Sequence, residues 1–171
     1  FPWSKYISGK QGRSPGYDPL KIMVDVAHKN GMKIEAWVNP YRVTIGSTNY
    51  SKLSKNNPAR KWHAKKSTSR NVLAYNGSLY YNPSKKDVRN LIINGAKEIV
   101  KNYKVDGIHM DDYFYPEFTS KNVKTAFDAK EYNKSSYKKN KKSIYTYRRA
   151  QVSTLVTVSY THLTLPTIYS V

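Results

Sequence analysis

The twelve residues "VDGIHMDDYFYP" (105–116) hold three aspartates, a histidine and two tyrosines, in a chain with thirty Lys and Arg against eleven Asp and Glu. Successive side chains of an extended chain alternate sides, so Ile108 and Met110 fall on one face while His109 and Asp111 fall on the other. The same alternation runs through "MKIEAWVNPYR" (32–42), where Ile34, Ala36 and Val38 oppose Glu35, Trp37 and Asn39. Two strands of this kind suit a barrel, in which apolar residues meet outer helices and polar or aromatic ones line the interior. A doubly wound sheet, covered on both faces, would favour apolar residues on both.

Each strand follows a helix. Asp18 with Pro19 behind it reads as an N-cap and first-turn proline, and Leu20, Ile22, Met23, Val24, Val26 and Ala27 supply an apolar face up to "KNG" at 29–31, where Gly31 stops the helix. The segment "SKKDVRNLIINGAKEIVKNY" (84–103) is predicted to be a second helix, with Ser84 as N-cap and Val88, Leu91, Ile92, Ala96, Ile99 and Val100 at helical spacing. Residues 42–82 show little periodicity and read as a long connection, which is often functional. Helices alternating with strands imply βαβ units and parallel pairing. The expected fold class is α/β: a partial TIM (β/α)8 barrel of about two parallel strands with flanking helices and a long loop. At 171 residues the chain is short of a complete barrel, which typically needs about 250.

The ends read differently. Residues 1–17 carry three Gly, two Pro and three Ser without period and are expected to be a loop. Residues 119–149 hold ten Lys or Arg, two acids and four Tyr, and are expected to be a solvated loop leading into a helix from near Ser143. Residues 158–171, "VSYTHLTLPTIYSV", contain no Lys or Arg and are similar to a translated sequencing-library adapter. The expected organisation is therefore a fragment of a single domain over 1–157, followed by a non-native tail over 158–171 in which His162 has no function.

The formal net charge of +19 favours an anionic partner, although lysine-rich drift in an AT-rich genome gives the same excess. No cysteine is present, which removes disulfides, thiol catalysis and Cys-ligated zinc. No apolar run is long enough to span a membrane. Nothing in the sequence calls for a cofactor, and adjacent aspartates with one nearby histidine are a poor metal set.

Asp106, Asp111, Asp112 and Glu117 are four of the eleven acids, gathered at the C-terminal end of a strand, which is where α/β folds place their chemistry. Asp111 shares the interior face with His109. Asp112 has that parity only if the strand has ended, so it stays open between catalysis and a loop cap. Asp106, before Gly107, reads as structural, as does His28 at a helix end; His63 has no assignment. Trp3, Trp37, Tyr41, Trp62, Tyr113, Phe114 and Tyr115 are able to stack on sugar rings, and Arg42 and His109 to donate to hydroxyl or anionic groups. Carboxylates in an aromatic cleft are the equipment of a glycosidase.

Taken together, "PWS", "SGKQGRSPGYDPL", "AHKNGMKIEAWVNPYR", "YYNPSKKDVRNLI" and "VDGIHMDDYFYP" resemble the glycosyl-hydrolase-like 10 family, closely over residues 2–118 and more loosely through "YRRAQVSTLV". The resemblance implies a (β/α)8 barrel of secreted or lipid-anchored bacterial proteins, whose best understood members are similar to enzymes that cut peptidoglycan glycan strands lacking stem peptides. It places Asp111 and Asp112 in the family's acidic motif, and Trp37, Asn39, Tyr41 and Arg42 in its "AWVNPYR" block. A more distant likeness, of "DGIHMD" to the "DGFRxD" segment of the α-amylase clan, would make Asp111 a nucleophile. The expected partner is a cell-wall polysaccharide and the expected location is the cell surface or outside. The alternatives are a non-catalytic module binding anionic wall polymer and a nonspecific nucleic-acid binder. A glycosidase needs a second carboxyl, which the resemblance leaves open to a strand outside this sequence; Glu35, facing inward but deep below the rim, is the in-chain alternative.

Overall fold

The computed structural model describes residues 11–111 and 114–162, with side chains up to Thr157. Trp3, Asp112, Tyr113 and the tail beyond His162 lie outside the described residues.

Two strands pair in parallel: β1 (Glu35–Trp37) and, far along the chain, β4 (Gly107–His109), in the register Glu35 to Gly107, Ala36 to Ile108 and Trp37 to His109. Backbone bonds from Asp106 N–H to Ile34 O (2.8 Å) and from Val38 N–H to His109 O (2.9 Å) extend the pairing at both ends. The predicted alternation holds. Ala36, Ile108 and Met110 are buried, while Glu35 and Trp37 are exposed and His109 is half-buried.

The apolar face is covered by helices on which local chemistry and pattern agree. Helix α1 (Pro19–Lys29) starts where the Asp18 carboxylate accepts from Lys21 N–H and buries Val24 and Ala27; Gly31 takes a φ of +69° just beyond its end, which suits glycine. Asp106 fastens α1 to the sheet by accepting from Ile34 N–H (2.8 Å) and bonding His28 Nε2 (2.9 Å). Both groups have the structural part expected of them.

Two connections differ from the sequence expectation. Residues 42–82 are not one loop. They contain the short helix α2 (Pro58–His63) and an antiparallel hairpin of β2 (Val72–Tyr75) and β3 (Ser78–Tyr81). The turn is Asn76–Gly77, both at positive φ (42° and 72°), as a two-residue hairpin loop with the sheet's own twist requires. This hairpin holds the segment after β1: Tyr81 N–H donates to Tyr41 O (2.7 Å) and Val43 N–H to Leu79 O (2.9 Å). Helix α3 (Lys86–Asn102) buries Val88, Ile92, Ile93 and Ala96, but Ser84 is not its cap. Lys85 stands at the N-cap without a side-chain bond, and the Ser84 hydroxyl bonds Asp128 Oδ2 at 3.2 Å.

The basic region is also more ordered than a solvated loop. It forms α4 (Ala129–Lys134), α5 (Ser136–Lys139) and α6 (Ile144–His162), with Ala129, Tyr132, Ile144 and Tyr147 as a small second core. Leu155 of α6 reaches the main core. Among the described residues no helix is long and apolar enough to cross a membrane.

Candidate active site: the carboxylate face of the parallel strands

The face of β1 and β4 opposite the helices carries Glu35, Trp37 and His109, and Asp111 follows two residues beyond β4. The parallel register sets Trp37 beside His109. It sets Glu35 beside Gly107, where a Cβ would stand 3.1 Å from Glu35 Cγ, so the absence of a side chain at 107 lets Glu35 lie across the neighbouring strand.

The four side chains form a line. Glu35 Oε2 is 3.5 Å from His109 Nδ1, and His109 Nε2 is 3.5 Å from Asp111 Oδ2. Trp37 Nε1–H donates to Asp111 Oδ1 at 2.7 Å. This last bond is the chief reason why the Asp111 carboxyl is held below the usual carboxylate range, with His109 adding to it. Asp111 is therefore anionic at neutral pH and open to solvent, as a nucleophile or a general base must be. Trp37 is 54% exposed, so its ring stays open to solvent while its N–H is held on the carboxylate.

Other expected aromatic platforms are placed differently. Tyr41 is 1% exposed, edge-on to Phe114, so it presents no ring face to a ligand; burial pushes its phenol up. Trp62, half-buried, packs edge-on against Tyr81 at the margin of the core. Tyr115 turns away to donate its hydroxyl to Asp128 Oδ2 at 2.9 Å, and burial, then the Asp128 charge, pushes its phenol up. These three are packing residues, because a tyrosine or tryptophan within an apolar run is as easily core as cleft. Asn39 Oδ1 accepts from Arg42 N–H (3.1 Å), which fixes the turn after β1. Arg42 is half-buried and its backbone bridges to Tyr80 of β3.

The sequence reading missed what holds the segment after the acidic motif. Asp128, fully buried, takes Arg148 Nε (2.8 Å) and Nη2 (2.7 Å) as well as Tyr115 and Ser84. Arg148 also donates to Val123 O (3.0 Å) and Ala126 O (3.3 Å) and covers the ring of Phe118 at 3.9 Å. No signal joins these residues in the sequence, since an Asp and an Arg-Arg pair in a basic stretch look solvated. Among the described residues no group of His, Asp or Glu is gathered to hold a metal ion.

The sequence model described as Glycosyl hydrolase-like 10 matches residues 1–164. The protein named Glycosyl hydrolase YngK, from Bacillus subtilis (strain 168), is 40% identical over 159 residues, which are 91% of this chain and 29% of that protein. Glycosyl hydrolase DigH of Escherichia coli (strain K12) is 39% identical over 119 residues, 68% of this chain and 27% of its own. The chain thus spans less than a third of the length of these relatives. Among solved structures, the galactosidase domain of alpha-galactosidase-sucrose kinase, AgaSK, aligns with 61% of this chain and 13% of its own at 19% identity and a TM-score of 0.35, too slight a likeness to bear on the fold.

Proposed function

The chain belongs to the glycosyl hydrolase-like 10 family, and from that premise we propose that it is part of a glycoside hydrolase that cuts cell-wall glycan, peptidoglycan strands lacking stem peptides, with Asp111 as a catalytic carboxylate. The observation that carries the reading is the Trp37–Asp111 bond: an ionised, solvent-facing carboxylate steadied by an exposed indole at the C-terminal end of a parallel strand pair. In this reading the pair belongs to a (β/α)8 barrel, and β1 and β4 find further neighbours in a longer chain. The protein acts outside the cell or at its surface, where its net charge of +19 suits a polyanionic wall.

Asp111 would attack the anomeric carbon or activate water against it, and Trp37 would hold the sugar face above it. A second carboxyl must protonate the leaving oxygen, at about 5–5.5 Å from the first in a retaining enzyme or about 6.5–9.5 Å in an inverting one. Glu35 is the candidate among the described residues, tied to the same histidine. The 171-residue chain alone is expected to be inactive, because both outer edges of the two-stranded sheet are unpaired among the described residues.

The test is reducing-end release from peptide-free peptidoglycan glycan, measured for this chain and for a form extended to the length of its relatives, each with its Asp111→Asn variant. Activity in the extended form that disappears with Asp111→Asn supports the reading. Equal activity in both moves the carboxylate elsewhere, and binding without release makes the protein a non-catalytic wall-binding module.

A further inference from the structure

A concavity lies along the chain just beyond the carboxylate face. Phe114 and Phe118, from the segment that continues β4, form one wall, and α6 forms the other through Tyr145, Arg149 and Val152. These three recur at i, i+4 and i+7 and so share one helix face. The space between the walls is about 580 Å³, within the ~300–1,000 Å³ of small-molecule sites. Phe114 is three residues from Asp111, so their Cα atoms are at most ~11 Å apart.

Two arginines line this groove and they are not equivalent. Arg148 is buried and committed to Asp128, its guanidinium lying over Phe118. Arg149 is exposed and makes no ion pair among the described residues. Tyr145 is half exposed and shares the lining with it, and Thr119, Ser120 and Ser153 add hydroxyl-bearing residues. The groove thus offers apolar ring surface, hydroxyl groups and one uncompensated positive charge. A neutral apolar ligand would leave the guanidinium and hydroxyls unused. A sugar ring matches all three if it carries an acid: its C–H face meets the aromatics, its hydroxyls meet the serines, and its carboxylate meets the planar fork of Arg149.

Building on the hydrolase reading above, we propose that this groove is a subsite for a carboxylate-bearing sugar unit of the glycan, remote from the bond that is cut, with Tyr145 and Phe114 taking the ring and Arg149 the carboxylate. The subsite selects acidic glycan over neutral glycan without touching the reacting atoms.

The experiment uses the 15N-labelled 171-residue chain, titrated with peptide-free peptidoglycan glycan and with the same glycan after its carboxyls have been reduced to alcohols. The native glycan is expected to shift the resonances of residues 118–120 and 145–153 and the Arg149 side chain, and to bind about tenfold more tightly than the reduced form. Arg149→Gln, at an exposed position that leaves the fold intact, should abolish that preference, and Tyr145→Ala should weaken both ligands. A preference that survives Arg149→Gln, or shifts confined to the surroundings of Trp37 and Asp111, overturns the subsite and leaves the hydrolase reading standing. If neither glycan shifts residues 118–120 or 145–153, the subsite falls, and the hydrolase reading stands or falls separately with the extended form.

Discussion

The indole N–H of Trp37 reaches Oδ1 of Asp111 at 2.7 Å, joining residues separated by 74 positions in the chain. One bond fixes the rotamer of the exposed carboxylate and at the same time stabilises its charged form. Trp37→Phe keeps a ring and removes the donor. The Asp111 carboxyl, held down first by this bond, should then titrate closer to the ordinary aspartate value. Following its 13C carboxyl resonance against pH in both proteins measures this, and an unmoved midpoint would assign the depression to His109 instead.

The same depression has a sign in stability. Asp18, Asp106 and Asp111 are all held below their ordinary value, by backbone or side-chain donors in the folded chain. Their contribution is present above the unfolded value and is lost as pH falls through the folded ones, so urea resistance should decline below about pH 4. His28→Gln, which weakens the largest influence on Asp106, should make that decline shallower.

Asp128 and Arg148 form a buried pair, 0% and 5% exposed. Removing one partner strands the other charge, so Asp128→Asn or Arg148→Met should cost about 3–5 kcal/mol, measured by urea unfolding. Tyr115→Phe takes away one of several donors to Asp128 and should cost less, about 1–3 kcal/mol.

Gly107→Ala tests the contact between the strands. The new Cβ would meet the Glu35 side chain at 3.1 Å, and a flexible glutamate moves aside cheaply. Stability should change by less than about 1 kcal/mol, while the imidazole resonances of His109, which loses its neighbour at Nδ1, should move. If the imidazole resonances stay put, the Glu35–His109 contact is not what orients the ring.

Leu155 is the last described side chain of α6 that is part of the core, and it is fully buried. Leu155→Ala should cost about 2–5 kcal/mol. Deleting residues 158–171 should leave the unfolding midpoint nearly unchanged if that stretch is foreign to the domain, although α6 itself runs on to His162. A large loss on deletion would make the stretch native.

Alternation and capping made the centre of the fold legible. The parity of Ile34–Asn39 and of Ile108–Asp111 is a two-residue period with one buried face, and Asp18–Pro19 is a local helix start written in covalent geometry. The hairpin was legible and missed: "YNGSLYY" (75–81) contains Asn-Gly between tyrosines and a leucine, the strongest short signal for a two-residue turn, obscured by the polar residues before it. Asp128 and Arg148 were not legible, because burial of a charge depends on a partner twenty positions away that no period announces. The aromatic residues divide for the same reason. Trp37 sits on a strand whose parity shows its direction, whereas Tyr41 and Tyr115 sit past strand ends, where direction is set by what they meet.

The pairing of β1 with β4 also imposes an order in time. During vectorial synthesis, α1 and β1 emerge before the hairpin, and the hairpin can close on itself as soon as it is out. Trp37 has no carboxylate to bind until the chain has been made past Asp111, and the intervening segment must be gathered in before the parallel strands meet, a loop closure that slows folding. Until then β1 lacks its β4 partner and carries an exposed tryptophan at its end, a state open to capture by a chaperone or by another nascent copy.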